Sequence, residues 1–132
     1  SGTELLIHWG NKLQLDRLVR RSIIDMRKSY VYNQMTVFPG IENISWKMYQ
    51  DLTSTHQCYG SFLLILHIEY LKNIDPMLMR ERAMVLLSSI DFNDYNSEFL
   101  TRILSDESVK HIPMLHEGAR RVLLVKYKII VD

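Results

Sequence analysis

The chain has 132 residues, of which 47% are hydrophobic and 23% are charged, and this composition is normal for one globular domain that buries its own core. The formal net charge of +1 excludes a histone-like protein that coats nucleic acid through its overall charge. No apolar run approaches the roughly 20 residues of a membrane-spanning helix, and the single cysteine excludes an intramolecular disulfide. We therefore expect an intracellular protein, of the cytoplasm or the nucleus, with no membrane span.

The two ends of the chain suggest a fragment of a longer protein. Ser1-Gly2 is typical of residues that cloning leaves behind, so the natural protein is expected to extend further. Composition does not shift along the chain and no repeat of fixed period is present. The sequence therefore predicts a single helical domain over residues 1–132, as one module of a longer protein.

Two helices are predicted at the start of the chain. Thr3 is a suitable cap for a first helix that ends at Trp9, because Gly10-Asn11 is a typical helix stop. A second helix is predicted from Leu15 to Tyr30. Its expected core-facing stripe consists of Leu15, Leu18, Val19, Ile23, Met26 and Tyr30.

The opposite side of this second helix is basic. Ile24 lies there among five cations, which are Arg17, Arg20, Arg21, Arg27 and Lys28. An apolar residue framed by arginines indicates a docking face for a partner, although a solvated outer face with snorkelling side chains explains the same pattern.

The middle of the chain contains clear start and stop signals. Val37-Phe38-Pro39-Gly40 is predicted to be a loop, and Ser45 is predicted to cap a helix that ends near Thr53. A central helix from about His56 to Ile74 is apolar nearly all round, which is typical of a helix surrounded by others. Asp75-Pro76 then predicts the start of a helix that ends near Ser89.

The last third of the chain predicts two more helices. Ser97 is a suitable cap for a helix that carries one apolar face, made of Phe99, Leu100, Ile103 and Leu104. The segment from about Leu115 to Val131 is predicted to be a helix, although Val125 to Ile129 alternates like a strand. The predicted fold class is therefore all-α, a compact bundle of about six or seven helices with a C-terminal segment of strand-like pattern.

No pattern in the chain indicates an enzyme or a metal site. His56, Cys58, His111 and His116 would be the four ligands of a zinc site, but the chain lacks the paired cysteines that make such a site specific. Cys58 precedes the most apolar helix, where a thiol is usually buried and inert. His67 and Glu69 are two residues apart on a helix and face different directions, so at least one of them is expected to face solvent or to pair with a cation such as Arg80 or Arg82. We predict no catalytic residue, no cofactor and no metal.

Aromatic residues are concentrated between Tyr30 and Tyr59. They are expected either to fill the core or to form a groove for a partner helix or peptide around Phe38 and Trp46. The sequence thus favours a non-enzymatic protein–protein interaction domain, of the adaptor, scaffold or regulatory type, with homodimerisation as a variant. Its candidate partner-binding residues are Arg17, Arg20, Arg21, Ile24, Lys28, Phe38 and Trp46. The alternative is nucleic-acid binding by the second helix together with Arg120, Arg121, Lys126 and Lys128.

Overall fold

All regular secondary structure is helical in the part of the chain that the structure describes. The computed structural model describes residues 2–31, 36–55 and 58–131, and of residues 2–10 the backbone alone. The α-helices are α1 (Gly2–Lys28), α2 (Trp46–Thr53), α3 (Gly60–Asn73), α4 (Pro76–Leu87), α5 (Ser97–Leu104) and α6 (Pro113–Val125). Short 3-10 helices span Ile41–Asn43, Phe92–Asp94 and Glu107–His111. The all-α prediction is confirmed, and no helix described is long and apolar enough to cross a membrane.

The chain divides into two compact units, Ser1–Leu63 and Leu64–Asp132. The prediction of one domain over residues 1–132 stays a prediction.

In the first unit, α1 is a single helix, and the predicted break at Gly10-Asn11 is wrong. A glycine inside a helix costs only about 1 kcal/mol relative to alanine. The residues that follow it, Lys12 to Gln14, are good helix formers, so the helix continues. It ends at Lys28, two residues before the predicted end at Tyr30.

The buried side of α1 also differs from the predicted stripe. Val19 and Ile23 are buried as predicted, but Leu15 and Leu18 are exposed, Leu18 to 59%. Asp16 is buried in their place, because its Oδ1 accepts a hydrogen bond of 3.1 Å from the Ser45 N–H at the start of α2. The segment before α2 packs against α1 beside Asp16. The buried side of α1 is therefore centred nearer to Asp16 than the apolar pattern indicates.

Removal of the Asp16 carboxylate is expected to destabilise the first unit. Asp16→Ala would leave the half-buried Ser45 N–H without its acceptor, and the loss of this hydrogen bond is expected to cost about 1 kcal/mol. Asp16→Asn keeps an acceptor oxygen of the same shape and should lose clearly less. Urea unfolding of the three proteins measures the difference, and equal losses for the two variants would show that this hydrogen bond is not what Asp16 contributes.

The loop and the cap predicted after α1 are confirmed. Gly40 has a φ of 82°, a left-handed conformation that glycine adopts without strain, and the chain turns there into the 3-10 helix Ile41–Asn43. The hydroxyl of Ser45 accepts a hydrogen bond of 3.2 Å from the Met48 N–H, as a helix cap does. His56, a candidate zinc ligand and the predicted start of the central helix, lies outside the described residues, as do residues 32–35 of the aromatic-rich stretch.

Aromatic rings fill the interior of the first unit. Phe38 is buried and meets Phe62 edge to face, with ring centres 5.6 Å apart. Tyr30 meets the same Phe62 ring at 5.2 Å, and its hydroxyl donates a hydrogen bond of 3.1 Å to Ser61 Oγ. These aromatics were expected either to fill the core or to form a groove, and Phe38 belongs to the core.

The second unit is built from the buried part of α3 and the helices after it. Residues 64–71 of α3 are buried on every side, as the central helix was predicted to be. Asp75 Oδ1 accepts a hydrogen bond of 2.9 Å from the Met77 N–H, so the predicted start of α4 is confirmed. The helix ends at Leu87, two residues before Ser89, near which its end was predicted. The cap of α5 is Asn96 and not Ser97. Its predicted apolar face is fully buried.

The strand-like pattern at the C-terminus does not form a strand, and that part of the prediction is wrong. α6 ends at Val125, and Lys128 has a φ of 59° that turns the chain back on itself. The Ile129 N–H then donates a hydrogen bond of 2.8 Å to the Leu123 carbonyl. The described ranges contain no strand with which this segment could pair, so it cannot form part of a sheet.

Candidate docking groove

A groove of about 530 Å³ lies in the second unit, between α4 and the start of α6. Three methionines form much of its surface, and the lining residues are Met79, Arg80, Ala83, Met84, His111, Ile112, Pro113 and Met114. Its floor is apolar, because Ala83 and Ile112 are buried beneath it. The groove is thus a hydrophobic surface with two polar residues.

Local sequence signals position both walls of the groove. On one side, Asp75 and Pro76 fix the start of α4, and the helical spacing then places Met79, Ala83 and Met84 on the side of the helix that lines the groove, together with Arg80. On the other side, Ile112 is not helical, with φ −117° and ψ 80°, and Pro113 then begins α6. This break carries Met114 to the surface opposite α4.

The methionines are much more exposed than core residues. Of the three that line the groove, Met84 is 57% exposed, Met114 also reaches solvent and Met79 is half-buried. Met77, on the same helix but outside the groove lining, is 89% exposed. Leu78 and Val85 are exposed on another side of α4, so this helix is apolar beyond the face that it buries. Exposed apolar residues that form a contiguous patch mark an interaction site, and flexible methionine side chains adapt to varied partners.

The rim of the groove carries one fixed positive charge, that of Arg80. Arg80 and His111 are its polar lining residues, and no carboxylate among the described residues lines it. Arg80 makes no ion pair with any residue that the structure describes, whereas the neighbouring Lys110 pairs with Glu107 at 3.2 Å. A negatively charged group on a ligand would therefore find an unpaired guanidinium at the edge of an apolar surface.

The candidate residues of the predicted docking face are only partly brought together. On α1, Arg17, Arg21 and Lys28 are exposed, whereas Arg20 and Ile24 are half-buried. The four arginines of α1 make no ion pair with a described carboxylate, and Lys28 lies 3.7 Å from Asp25. Phe38 is buried and does not reach the surface, and Trp46 is half-buried and stacks on Tyr49 at 6.4 Å. The predicted aromatic groove around Phe38 is therefore not observed.

The basic residues of the predicted nucleic-acid surface mostly hydrogen-bond to the main chain. Lys126 Nζ donates to the Asn93 carbonyl at 2.7 Å, and Lys128 Nζ donates to the Val125 carbonyl at 3.0 Å. Arg120 Nε donates to the Val131 carbonyl at 3.0 Å, and only Arg121 of the four has no such bond among the described residues. These contacts compete with phosphate binding.

The residues with reactive side chains have structural surroundings. Cys58 is buried, and burial raises the pKa of its thiol although the charges of Arg27 and Arg20 act in the opposite direction. Glu69 pairs with Lys72 at 3.0 Å and not with Arg80 or Arg82, because α3 carries Lys72 one turn further along. The Lys72 ammonium also lies 3.0 Å from Asp106. Within the described residues, no three His, Cys, Asp or Glu side chains are close enough to hold a metal ion.

Known proteins offer no guide to this groove, because the chain matches no family model, no curated protein and no solved structure. The sequence alone does not predict the groove either, since methionines at helical spacing usually form a core. The available signal is that the apolar residues of α4 spread round the helix, with Met77, Leu78, Met84 and Val85 all outside the buried face.

Proposed function

We propose that the protein is a non-enzymatic interaction domain that binds an amphipathic helix of another protein in the groove between α4 and α6. The observation that carries this proposal is the exposed methionine surface of the groove. Removal of apolar surface from water is favourable by about 25 cal/mol for each Å² of area, and this free energy is not gained while the methionines are exposed. A partner that covers the methionines recovers it.

A helix suits this surface better than an extended peptide does. An extended peptide usually binds by adding a strand to the edge of a sheet, and the described residues contain no sheet. A groove between helices receives apolar side chains that recur at i, i+3 or i+4, and i+7 of a partner helix. Methionine-rich surfaces accept such helices with varied sequences because their side chains repack.

The rim charge specifies the partner further. Arg80 and His111 border the apolar surface and no carboxylate of the described residues lines it. The partner helix is therefore one that carries aspartate or glutamate beside its apolar face, placed to reach the Arg80 guanidinium. The basic residues of α1, with Arg17 and Arg21 outermost, remain a proposed second surface for an acidic partner.

Selection of helical peptides from a display library against the full chain tests the proposal. We expect enriched sequences to combine an apolar face with acidic neighbours. Met84→Asp should weaken their binding by about tenfold or more, because it places a charge in the apolar contact. Val85→Asp is the matched control: Val85 is 52% exposed, follows Met84 directly and does not line the groove. It should change affinity by less than about twofold.

Three outcomes would contradict the proposal. The first is that no peptide is enriched, or that both aspartate variants lose binding equally. The second is concentration-dependent self-association that Met84→Asp abolishes, which would assign the groove to a second copy of the chain. The third is capture of nucleic acid with a steep salt dependence, which would favour the basic face of α1 as the functional surface.

A further inference from the structure

A second pocket, independent of the methionine groove, lies in the first unit. It has a volume of about 470 Å³ and forms where the end of α1 meets the start of α3. Its charged residues are Arg27 and Lys28, and its aromatic residues are Tyr30, Tyr59 and Phe62. The pocket therefore combines two cations with three rings.

The guanidinium of Arg27 is held in place without an anionic partner. Its central carbon lies over the Tyr59 ring, 4.7 Å from the ring centre, which is a cation–π contact. Arg27 is half-buried, and its side chain makes no hydrogen bond or ion pair with any described residue. A stacked guanidinium keeps its N–H edges available, and those edges match two oxygens of a phosphate or carboxylate.

Lys28 adds a second positive charge beside Arg27. Its ammonium lies 3.7 Å from Asp25, and both side chains are largely exposed. Exposed ion pairs contribute about 0–1 kcal/mol, so Lys28 can turn to a bound anion at little cost. The positive charges of Arg27 and Arg20 also act on nearby Cys58, where they lower the pKa of the thiol against the larger effect of burial. Two cations favour a dianion over a singly charged carboxylate.

The rings of the pocket favour a ligand with a flat apolar part. Tyr59 is 63% exposed although Arg27 lies over its ring, whereas Phe62 is buried and forms an edge-to-face pair with Tyr30 at 5.2 Å. A flat ring that packs on the exposed part of Tyr59 gains aromatic contact while its anionic group meets Arg27.

We propose that Arg27, Lys28 and Tyr59 form a binding site for a phosphate monoester carried on a flat ring. Such a group has a charge of about −1.5 to −2 at neutral pH, which two cations match. A phosphorylated tyrosine side chain and a nucleoside monophosphate are the two sources of this chemistry.

Titration of the full chain with phenyl phosphate, followed by amide NMR, tests the site. Saturable shifts are expected at residues 27–28 and 58–62, and inorganic phosphate should bind more weakly because it lacks the ring. Arg27→Gln should lose about tenfold or more in affinity, as expected for a charge-assisted pair of hydrogen bonds. Arg17→Gln is the matched control, since Arg17 is an exposed arginine of the same helix that does not line the pocket.

Further arms separate the sources and protect against misfolded variants. Tighter binding of a phosphotyrosine peptide than of adenosine monophosphate would assign the site to a protein ligand, and the reverse would assign it to a nucleotide. Tyr59→Leu removes the supporting ring at an exposed position and should also weaken binding, with an unchanged melting temperature. Absence of saturable binding at millimolar phenyl phosphate, or equal losses for Arg17→Gln and Arg27→Gln, would overturn the proposal.

Discussion

Phe99→Ala is expected to lower the free energy of unfolding by about 3–5 kcal/mol, a large part of the total stability of a small domain. Phe99 is fully buried in α5, and its ring stacks on Tyr95 with centres 5.1 Å apart. Alanine would remove the buried ring and leave a cavity between α5 and the helices around it. Urea unfolding followed by circular dichroism measures the loss.

Val125→Ala is the control for this substitution. Val125 is exposed at the end of α6, and its truncation should change stability by less than about 0.5 kcal/mol. Similar losses for Phe99→Ala and Val125→Ala would mean that the apolar face of α5 does not lie in the interior.

Acid is expected to destabilise the protein through His67, at a pH where most carboxylates are still ionised. Burial lowers the pKa of His67 to about 4, from 6.5. Between pH 6.5 and 4, His67 is therefore protonated in the unfolded chain but stays neutral in the folded chain. Stability is fully present above pH 6.5 and falls as the pH approaches 4, by about 3 kcal/mol in total.

A pH series of urea unfolding between pH 7 and 5 isolates this effect. The wild-type protein should lose about 2 kcal/mol over that interval. His67→Gln removes the titrating group and should flatten the slope, even though it alters stability at pH 7. His111→Gln, at an exposed position, controls for the removal of a histidine. A slope that persists in His67→Gln would show that another group causes the acid sensitivity.

The parts of the fold that local chemistry determines were predictable from the sequence. The carboxylate of Asp75 and the hydroxyl of Ser45 cap helices through hydrogen bonds to residues two or three positions away. The buried face of α5 follows from helical spacing alone. Each of these signals acts within one element, so no knowledge of the rest of the fold is needed.

Two kinds of feature were not predictable. Whether Gly10 breaks a helix depends on a small difference between local propensities, and α1 continues through it. The other features depend on tertiary packing. The spacing of Leu18 predicts a core position, but Leu18 is exposed. The buried side of α1 instead includes Asp16, which accepts a hydrogen bond from Ser45. The alternation after Val125 needs a partner strand that the described residues lack.

The candidate site divides in the same way. Exposed arginines on α1 follow from helical spacing, and Arg17 and Arg21 lie on the surface as that spacing indicates. The methionine groove depends on how α4 packs beside the start of α6, which no local pattern encodes. Phe38 was a docking candidate because it is aromatic and lies in a predicted loop. Its contact with Phe62 depends on the fold of the first unit, which the sequence pattern does not show.

The most direct test of a function in the methionine groove is NMR of the full chain with labelled methionine methyl groups. The chain has seven methionines. Met79, Met84 and Met114 line the groove, whereas Met26 and Met48 belong to the first unit. On titration with a selected amphipathic peptide, the three groove methyl signals should shift and saturate together, and those of Met26 and Met48 should not move. Shifts at Met26 or Met48 with unchanged groove signals would contradict the account.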